Sequence, residues 1–238
     1  MGMKVYENDR IELHKLARKK MDDKLNIILH KPYSFISQSS DPSPRQRFAK
    51  DLLTFKNQDR KCLFYRKIKK QPYNARKLAC AGRLDAESSG LLIFTQNGKL
   101  AKQIIGSHEK EKEYIVTVSP KVSDDDIYFD HRIELLKSMN DLDGKSILPI
   151  EIEHLDPSQW RPEPRLDLWP TSHKHHKKQA LQFDQLRMIL REGKYHQIRR
   201  MCDKVGLDVL ALVRVRIGNL KLGNLRSGFW KTFQESEL

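Results

Sequence analysis

Residues 82–98 constrain the fold most. The segment Gly82-Arg83-Leu84-Asp85-Ala86-Glu87-Ser88-Ser89-Gly90 runs into Leu91-Leu92-Ile93-Phe94-Thr95 and stops at Gln96-Asn97-Gly98. Leu91 to Phe94 has no polar face, so the strand is expected to be buried, and it brings an Arg-x-Asp loop to the edge of a core. Reactive groups commonly sit on loops held by a rigid scaffold, and an arginine beside a carboxylate keeps it ionised. The same residues also fit a turn in which Asp85 caps local backbone N–H groups and Arg83 is a surface cation. The local pattern leaves both readings open.

Charge narrows the choice of partner. The 238 residues carry 45 Lys and Arg against 31 Asp and Glu, a formal charge of +14, and the field of such a chain attracts polyanions, nucleic acid first. Between Arg60 and Lys77 there are eight basic residues and no acidic one, interleaved with Phe64, Tyr65 and Tyr73. That stretch offers phosphate contacts and base-stacking faces together, or it is a solvated loop whose aromatic rings turn inward. Cys62, Cys80 and Cys202 are odd in number and lack CxxC spacing, which points away from a zinc ribbon or disulfide framework and towards a reducing compartment. The charged N-terminus has no apolar signal region and no apolar run is long enough to span a bilayer, so a soluble, cytoplasmic protein without a membrane partner is expected.

Along the chain, residues 1–24 form a charged extension, and the globular domain is expected from Leu25, where Leu25-Asn26-Ile27-Ile28-Leu29 makes the first buried strand. A helix over 98–106 follows from apolar Leu100, Ala101, Ile104 and Ile105, and a strand over 113–118 places Tyr114, Val116 and Val118 on one side. Ser123 with three following aspartates predicts a cap for a helix reaching Leu136. A strand is predicted near 147–152. Residues 155–180 hold four prolines, two tryptophans and the run His173-Lys174-His175-His176-Lys177-Lys178, and read as a long basic loop. The interleaved lysines and the lack of Cys or carboxylate partners argue against a metal there.

Residues 182–190 read as a strand, and 195–205 as an amphipathic helix with Ile198, Met201, Cys202 and Val205 on one stripe. Arg199 and Arg200 lie about 100° apart around its axis, so one of them at most aims at a given point. In the last long strand, 208–218, Val209, Ala211, Val213, Val215 and Ile217 share a face expected to be core. The opposite face changes from Leu210 and Leu212 to Arg214 and Arg216, which suits the floor of a cleft for a base and its phosphate. An edge strand with snorkelling arginines fits as well.

Four motifs then occur in a telling order: Gly82-Arg83-Leu84-Asp85 with Gly90-Leu91-Leu92, Lys112-Glu113-Tyr114-Ile115-Val116, Glu192-Gly193-Lys194-Tyr195-His196-Gln197-Ile198-Arg199-Arg200-Met201, and Leu212-Val213-Arg214-Val215-Arg216-Ile217-Gly218. From about Leu25 onward the chain resembles the RNA pseudouridine synthases typified by the ribosomal small-subunit pseudouridine synthase A. Trp160-Arg161-Pro162-Glu163-Pro164-Arg165 and Pro170-Thr171-Ser172 look most like the branch represented by the large-subunit pseudouridine synthase E, which lacks the N-terminal S4 RNA-binding domain. No S4 module is read here. The chain departs from the pattern at Gln96-Asn97, where Asn-Asp is usual, at Lys194-Tyr195-His196, where Asn-Arg is commoner, in its N-terminal extension and in the His/Lys loop. None of these departures is expected to touch the nucleophile; they bear on the choice of uridine.

The resemblance implies an α+β catalytic domain over 25–238, with a central mixed sheet flanked by helices and a catalytic cleft. It implies an isomerase that turns uridine into pseudouridine in structured RNA, 23S rRNA above all, with 16S rRNA, tRNA or a non-catalytic RNA-binding role as alternatives. Asp85 corresponds to the catalytic aspartate, Tyr114 to the aromatic residue on the target base, and Arg199 to the arginine that ion-pairs with the aspartate. Leu212 corresponds to the apolar pocket residue. Arg83, Arg214, Lys112 and Lys194 are expected to bind substrate, with Arg83 filling the space left by a flipped nucleotide. No metal or cofactor is expected, and the chain is expected to act as a monomer.

Overall fold

The computed structural model describes residues 24–38, 46–59, 78–106, 110–121, 128–156, 158 and 183–238. The extension 1–23, the basic stretch 60–77, Ser123 and the His/Lys run lie outside the described residues.

Nine strands form one sheet in the order β5-β6-β4-β7-β3-β1-β9, with β2 beside β3 and β8 beside β7. The strands are β1 (Asn26–Lys31), β2 (Ala79–Ala81), β3 (Ser89–Thr95), β4 (Lys112–Pro120), β5 (Glu151–His154), β6 (Asp184–Leu190), β7 (Leu207–Ile217), β8 (Leu220–Lys221) and β9 (Trp230–Thr232). Among the described residues three α-helices accompany them: α1 (Gly98–Gly106), α2 (Phe129–Ser138) and α3 (Gln197–Lys204). The ladders among these residues are antiparallel except one. β3 and β7 run parallel over only two pairs, Ser89 with Val213 and Gly90 with Arg214.

That short seam joins two halves of the sheet, and the strands diverge beyond it. β3 is buried from Gly90 to Thr95 because its faces enter different cores: Leu92 and Phe94 pack with Ile27, Leu29 and Trp230, whereas Leu91 and Ile93 pack with Ile28, Leu100, Ile104 and Phe233. The apolar run on both sides of β3 is therefore explained by a strand with a core on each face. Gly90 is required at the seam. Its φ is +105°, and a Cβ there would lie 2.3 Å from the Arg214 carbonyl oxygen.

The α1 helix and the β4 alternation agree with the sequence reading, whereas three details differ. The strand expected near 147–152 is laddered only over Glu151–His154. The α3 helix begins at Gln197, since His196 before it has φ 48° and ψ 32° and cannot continue a right-handed helix backwards. The face assignment of β7 is also overturned. Register shifts against β4 skip Leu210 and Val215, so strict alternation fails and Leu210, Leu212 and Arg214 are buried while Val209, Ala211 and Val213 are only half-buried. The same shift turns Arg216 away from Arg214. Arg216 donates to Glu111 and Glu113, and Arg187 donates to Glu113 and Glu153, on the face opposite Tyr114. Arg191 also pairs with Glu111 there. Burial pushes the Glu113 carboxyl up, but hydrogen bonds from Arg216 and Arg187 outweigh it and hold the pKa below the usual value.

Candidate active site

A cavity of about 490 Å³ opens where the two halves of the sheet meet. Asp85, Tyr114, Arg199, Arg83, Leu212, Arg214, Lys112 and Lys194, the eight residues given site roles above, line it, whereas Leu210 and Arg216, expected on the cleft floor, do not. One half supplies the loop that holds Arg83 and Asp85; the other supplies Lys112 and Tyr114 from β4, Leu212 and Arg214 from β7, and Arg199 from α3. Tyr114 and Leu212 are buried apolar walls, 8% and 6% exposed. Five Lys and Arg side chains line the cavity against two carboxylates, Asp85 and Glu192, so it favours an anionic ligand.

The Asp85 loop is held by its carbonyls. Gly82 starts it with φ +87°. Arg214 Nη1 donates to the Arg83 carbonyl at 3.3 Å, and Ser37 Oγ donates to that of Leu84 at 2.6 Å while accepting the Leu84 N–H at 2.9 Å. The Ser88 N–H reaches the Asp85 carbonyl, the Ser34 N–H that of Ala86, and Arg199 Nη2 that of Glu87 at 2.8 Å. Five consecutive carbonyls are thus satisfied, four of them by residues distant in sequence, and the Asp85 side chain stands on a turn with little backbone freedom left.

Beneath the turn lies Lys31, at 0% exposure and absent from the sequence reading of the site. Its ammonium donates to the carbonyls of Pro32 at 2.9 Å, Phe35 at 2.7 Å and Ala86 at 3.4 Å. Burial lowers its pKa to about 7, with Asp85 opposing the drop and Arg214 adding to it. A lysine at the end of the first buried strand, directly before Pro32, was the available signal. The same cause, burial with Arg214 nearby, lowers the Lys112 pKa. Burial pushes the Cys80 and Cys202 thiols up to about 12, so neither is a ready nucleophile.

Arg199 lines the cavity and Arg200 does not, as the 100° separation requires; Arg200 pairs with Asp143 instead. The expected Arg199–Asp85 ion pair is not formed. Arg199 donates to the backbone carbonyls of Glu87 and Val209, and its Nε lies 3.8 Å from the Glu87 carboxylate. Among the described residues, the basic side chain within 4 Å of the Asp85 carboxylate is His196, whose Nε2 is 3.5 Å from Oδ1. One of the departures from the family pattern therefore does touch the expected nucleophile. Three buried polar atoms on cavity-lining residues, Ser88 Oγ, Arg199 Nε and Arg214 Nη2, have no hydrogen-bond partner among the described residues.

A profile described as RNA pseudouridylate synthase matches residues 25–204. The chain belongs to the RNA pseudouridylate synthase family. It is 28% identical over 193 residues to an uncharacterized RNA pseudouridine synthase of Aquifex aeolicus, covering 79% of this chain and 66% of that protein. It is 28% identical over 210 residues to the ribosomal large subunit pseudouridine synthase E of Vibrio parahaemolyticus, covering 87% of this chain and 73% of that protein. The ribosomal small subunit pseudouridine synthase A of Escherichia coli is 30% identical over 164 residues, 68% of this chain and 58% of that protein. A crystal structure of a pseudouridylate synthase superposes with a TM-score of 0.61 at 21% identity over 91% of this chain and 73% of that chain, which shows a shared fold. As a member of this family, the chain is an isomerase of uridine in RNA with an α+β catalytic domain. No helix among its described residues is long and apolar enough to cross a membrane.

Proposed function

We propose that the chain converts a uridine of 23S rRNA into pseudouridine, with Asp85 acting on the ribose of a flipped-out nucleotide. One observation carries this reading: residues from both halves of the sheet converge on one cavity with a carboxylate fixed at its mouth, 35% exposed on its side chain. The reaction breaks N1–C1′, turns the uracil and joins C5 to C1′, while the C5 proton leaves and N1 gains one. Nothing is oxidised or reduced and no second substrate enters, so an ionised carboxylate facing the sugar is sufficient, whether it attacks C1′ or removes the 2′ proton.

The surrounding groups fit that task. Tyr114 and Leu212 offer apolar faces to the uracil, and the Arg199 and Arg214 side chains lining the cavity add positive charge for its carbonyls or for phosphate. Lys112 and Lys194 add charge for the backbone. Because C1′ is inaccessible in a stacked helix, the nucleotide must leave it, and Arg83 beside Asp85 is placed to occupy the gap. In this reading residues 25–238 form the catalytic unit. The relative named as a ribosomal large subunit pseudouridine synthase supports 23S rRNA as that target.

The test is tritium release from RNA labelled at uridine C5, comparing wild type with Asp85→Asn on unmodified 23S rRNA, 16S rRNA and tRNA. Release from 23S rRNA that disappears in Asp85→Asn is expected. Full-rate release by Asp85→Asn refutes the nucleophile, release from 16S rRNA or tRNA alone refutes the target, and binding without release from any RNA would leave a non-catalytic binder.

A further inference from the structure

His196 is an unusual residue to find at the start of a helix. It adopts the left-handed region at φ 48° and ψ 32°, where a side chain with Cβ is strained, and makes no capping hydrogen bond with its side chain. Backbone strain of this kind persists where the surroundings enforce it, and it gathers at functional sites. Here the surroundings are identifiable. The Lys194 N–H is held at 2.9 Å by Gln197 Oε1, Gln197 Nε2 is held at 2.8 Å by Glu192, and the His196 carbonyl accepts the Arg200 N–H at 2.9 Å. The chain before the helix is thereby fixed, and its left-handed residue throws the imidazole back over the cavity.

The ring has neighbours on two sides. It stacks on Tyr195 with centroids 4.0 Å apart and planes 12° from parallel, and its Nε2 lies 3.5 Å from Asp85 Oδ1. At 3.5 Å the contact is longer than a strong hydrogen bond, and a few tenths of an ångström of closure would make it one. Catalytic hydrogen bonds are often long before substrate arrives. Arg199 is not in this position: its Nη1 and Nη2 donate to the Val209 and Glu87 carbonyls, and its unpartnered Nε faces the Glu87 carboxylate at 3.8 Å rather than Asp85.

We propose that His196 is a positioning residue that holds and orients the Asp85 carboxylate through Nε2, while Arg199 fixes the backbone of the same loop. The proposal rests on Asp85 being the reacting carboxylate. It divides between two side chains a duty that the family resemblance gives to one: the arginine clamps the turn and the imidazole aims the acid.

His196→Gly and His196→Gln separate the side chain from its backbone. Glycine accepts φ 48° without strain and removes the donor; glutamine places an amide N–H at nearly the reach of Nε2. Thermal melts establish that both variants are folded, and single-turnover tritium release with RNA binding is then measured alongside Asp85→Asn. In His196→Gly the single-turnover rate constant is expected to fall about tenfold or more with RNA affinity unchanged, as misorientation of a reacting group predicts. His196→Gln is expected to restore most of the rate. An unchanged rate in His196→Gly, a loss confined to RNA affinity, or a loss that glutamine does not restore overturns the proposal. If Asp85→Asn keeps full activity, the underlying assignment of Asp85 fails instead, and the two failures are told apart by that variant.

Discussion

Gly90→Ala tests the seam between β3 and β7, on which the cleft depends. The added Cβ would sit 2.3 Å from the Arg214 oxygen, 2.7 Å from its nitrogen and 3.0 Å from its carbonyl carbon. All three are backbone atoms, so no side chain can swing away and β7 must retreat by roughly 1 Å to restore ordinary contact. Overpacking of this kind costs about 1–3 kcal/mol. Holding a side-chain-bearing residue at φ +105° costs about 1–3 kcal/mol more. The sum of about 2–6 kcal/mol corresponds to a fall in Tm of about 4–24 °C for a chain of this size. Retreat of β7 also draws Arg214 away from the Leu91 carbonyl, 2.8 Å from its Nε, and from the Arg83 carbonyl. Activity is therefore expected to fall further than stability alone explains. Calorimetry with Gly98→Ala as the control decides the matter, since a Cβ on Gly98 meets nothing within 4 Å. A Gly90→Ala transition no lower than that of the control would refute the close approach at the seam.

Lys31→Met keeps the volume and removes the charge. With the folded pKa lowered to about 7, the unfolded chain binds more protons between pH 7 and the ordinary lysine range, so wild-type stability should rise with pH across that window, by up to about 1.4 kcal/mol per pH unit. Urea titrations at pH 7, 8 and 9 should show that slope in wild type minus Lys31→Met; equal slopes would show that Lys31 is not held at a lowered pKa. Arg132 is 1% exposed and donates to the carbonyls of Val205 and Gly206 at 2.7 and 2.8 Å, so Arg132→Leu leaves two buried acceptors. A loss of about 2–4 kcal/mol in urea unfolding is expected, and a change below about 0.5 kcal/mol would contradict that burial. Replacing pairs of cations within 60–77 by alanine should lower the salt dependence of RNA binding by roughly 0.7–0.9 in log–log slope per lost phosphate contact. An unchanged slope moves the RNA track elsewhere.

Periodicity made β3, α1, β4 and β6 legible, because each packs a continuous stripe or strand face against a core. It failed for β7 at Leu210 and Val215, where bulges against β4 break the alternation and no local residue announces them. Most of the cavity lining was legible because it lies in four motifs, whereas Gln38, Cys80, Ile104, Ile105 and the partners were not. Arg199 reaches a carbonyl of the loop rather than the carboxylate two residues away, and that choice depends on how α3 docks against the turn. Lys31 and His196 escaped for different reasons. A lysine's burial depends on what lies over it, and the left-handed conformation of His196 is imposed by the Glu192–Gln197–Lys194 contacts rather than by its own preference.

The ion pairs behind Tyr114 also shape how a substrate arrives. Arg187, Arg191 and Arg216 meet Glu111, Glu113 and Glu153 on that surface, three charges of each sign, so this paired patch is electrically silent in itself, with the charge of Lys221 beside it, in a chain with a net charge of +14. The opposite face carries the cationic cavity. Under the proposed function the sheet would act as a one-sided lure: a polyanion near the paired surface would gain little by staying, whereas one near the cavity would be drawn toward Asp85. Reversing a single member of the silent patch, such as Glu113, would give the back of the sheet an attraction of its own and lengthen the search for the productive side.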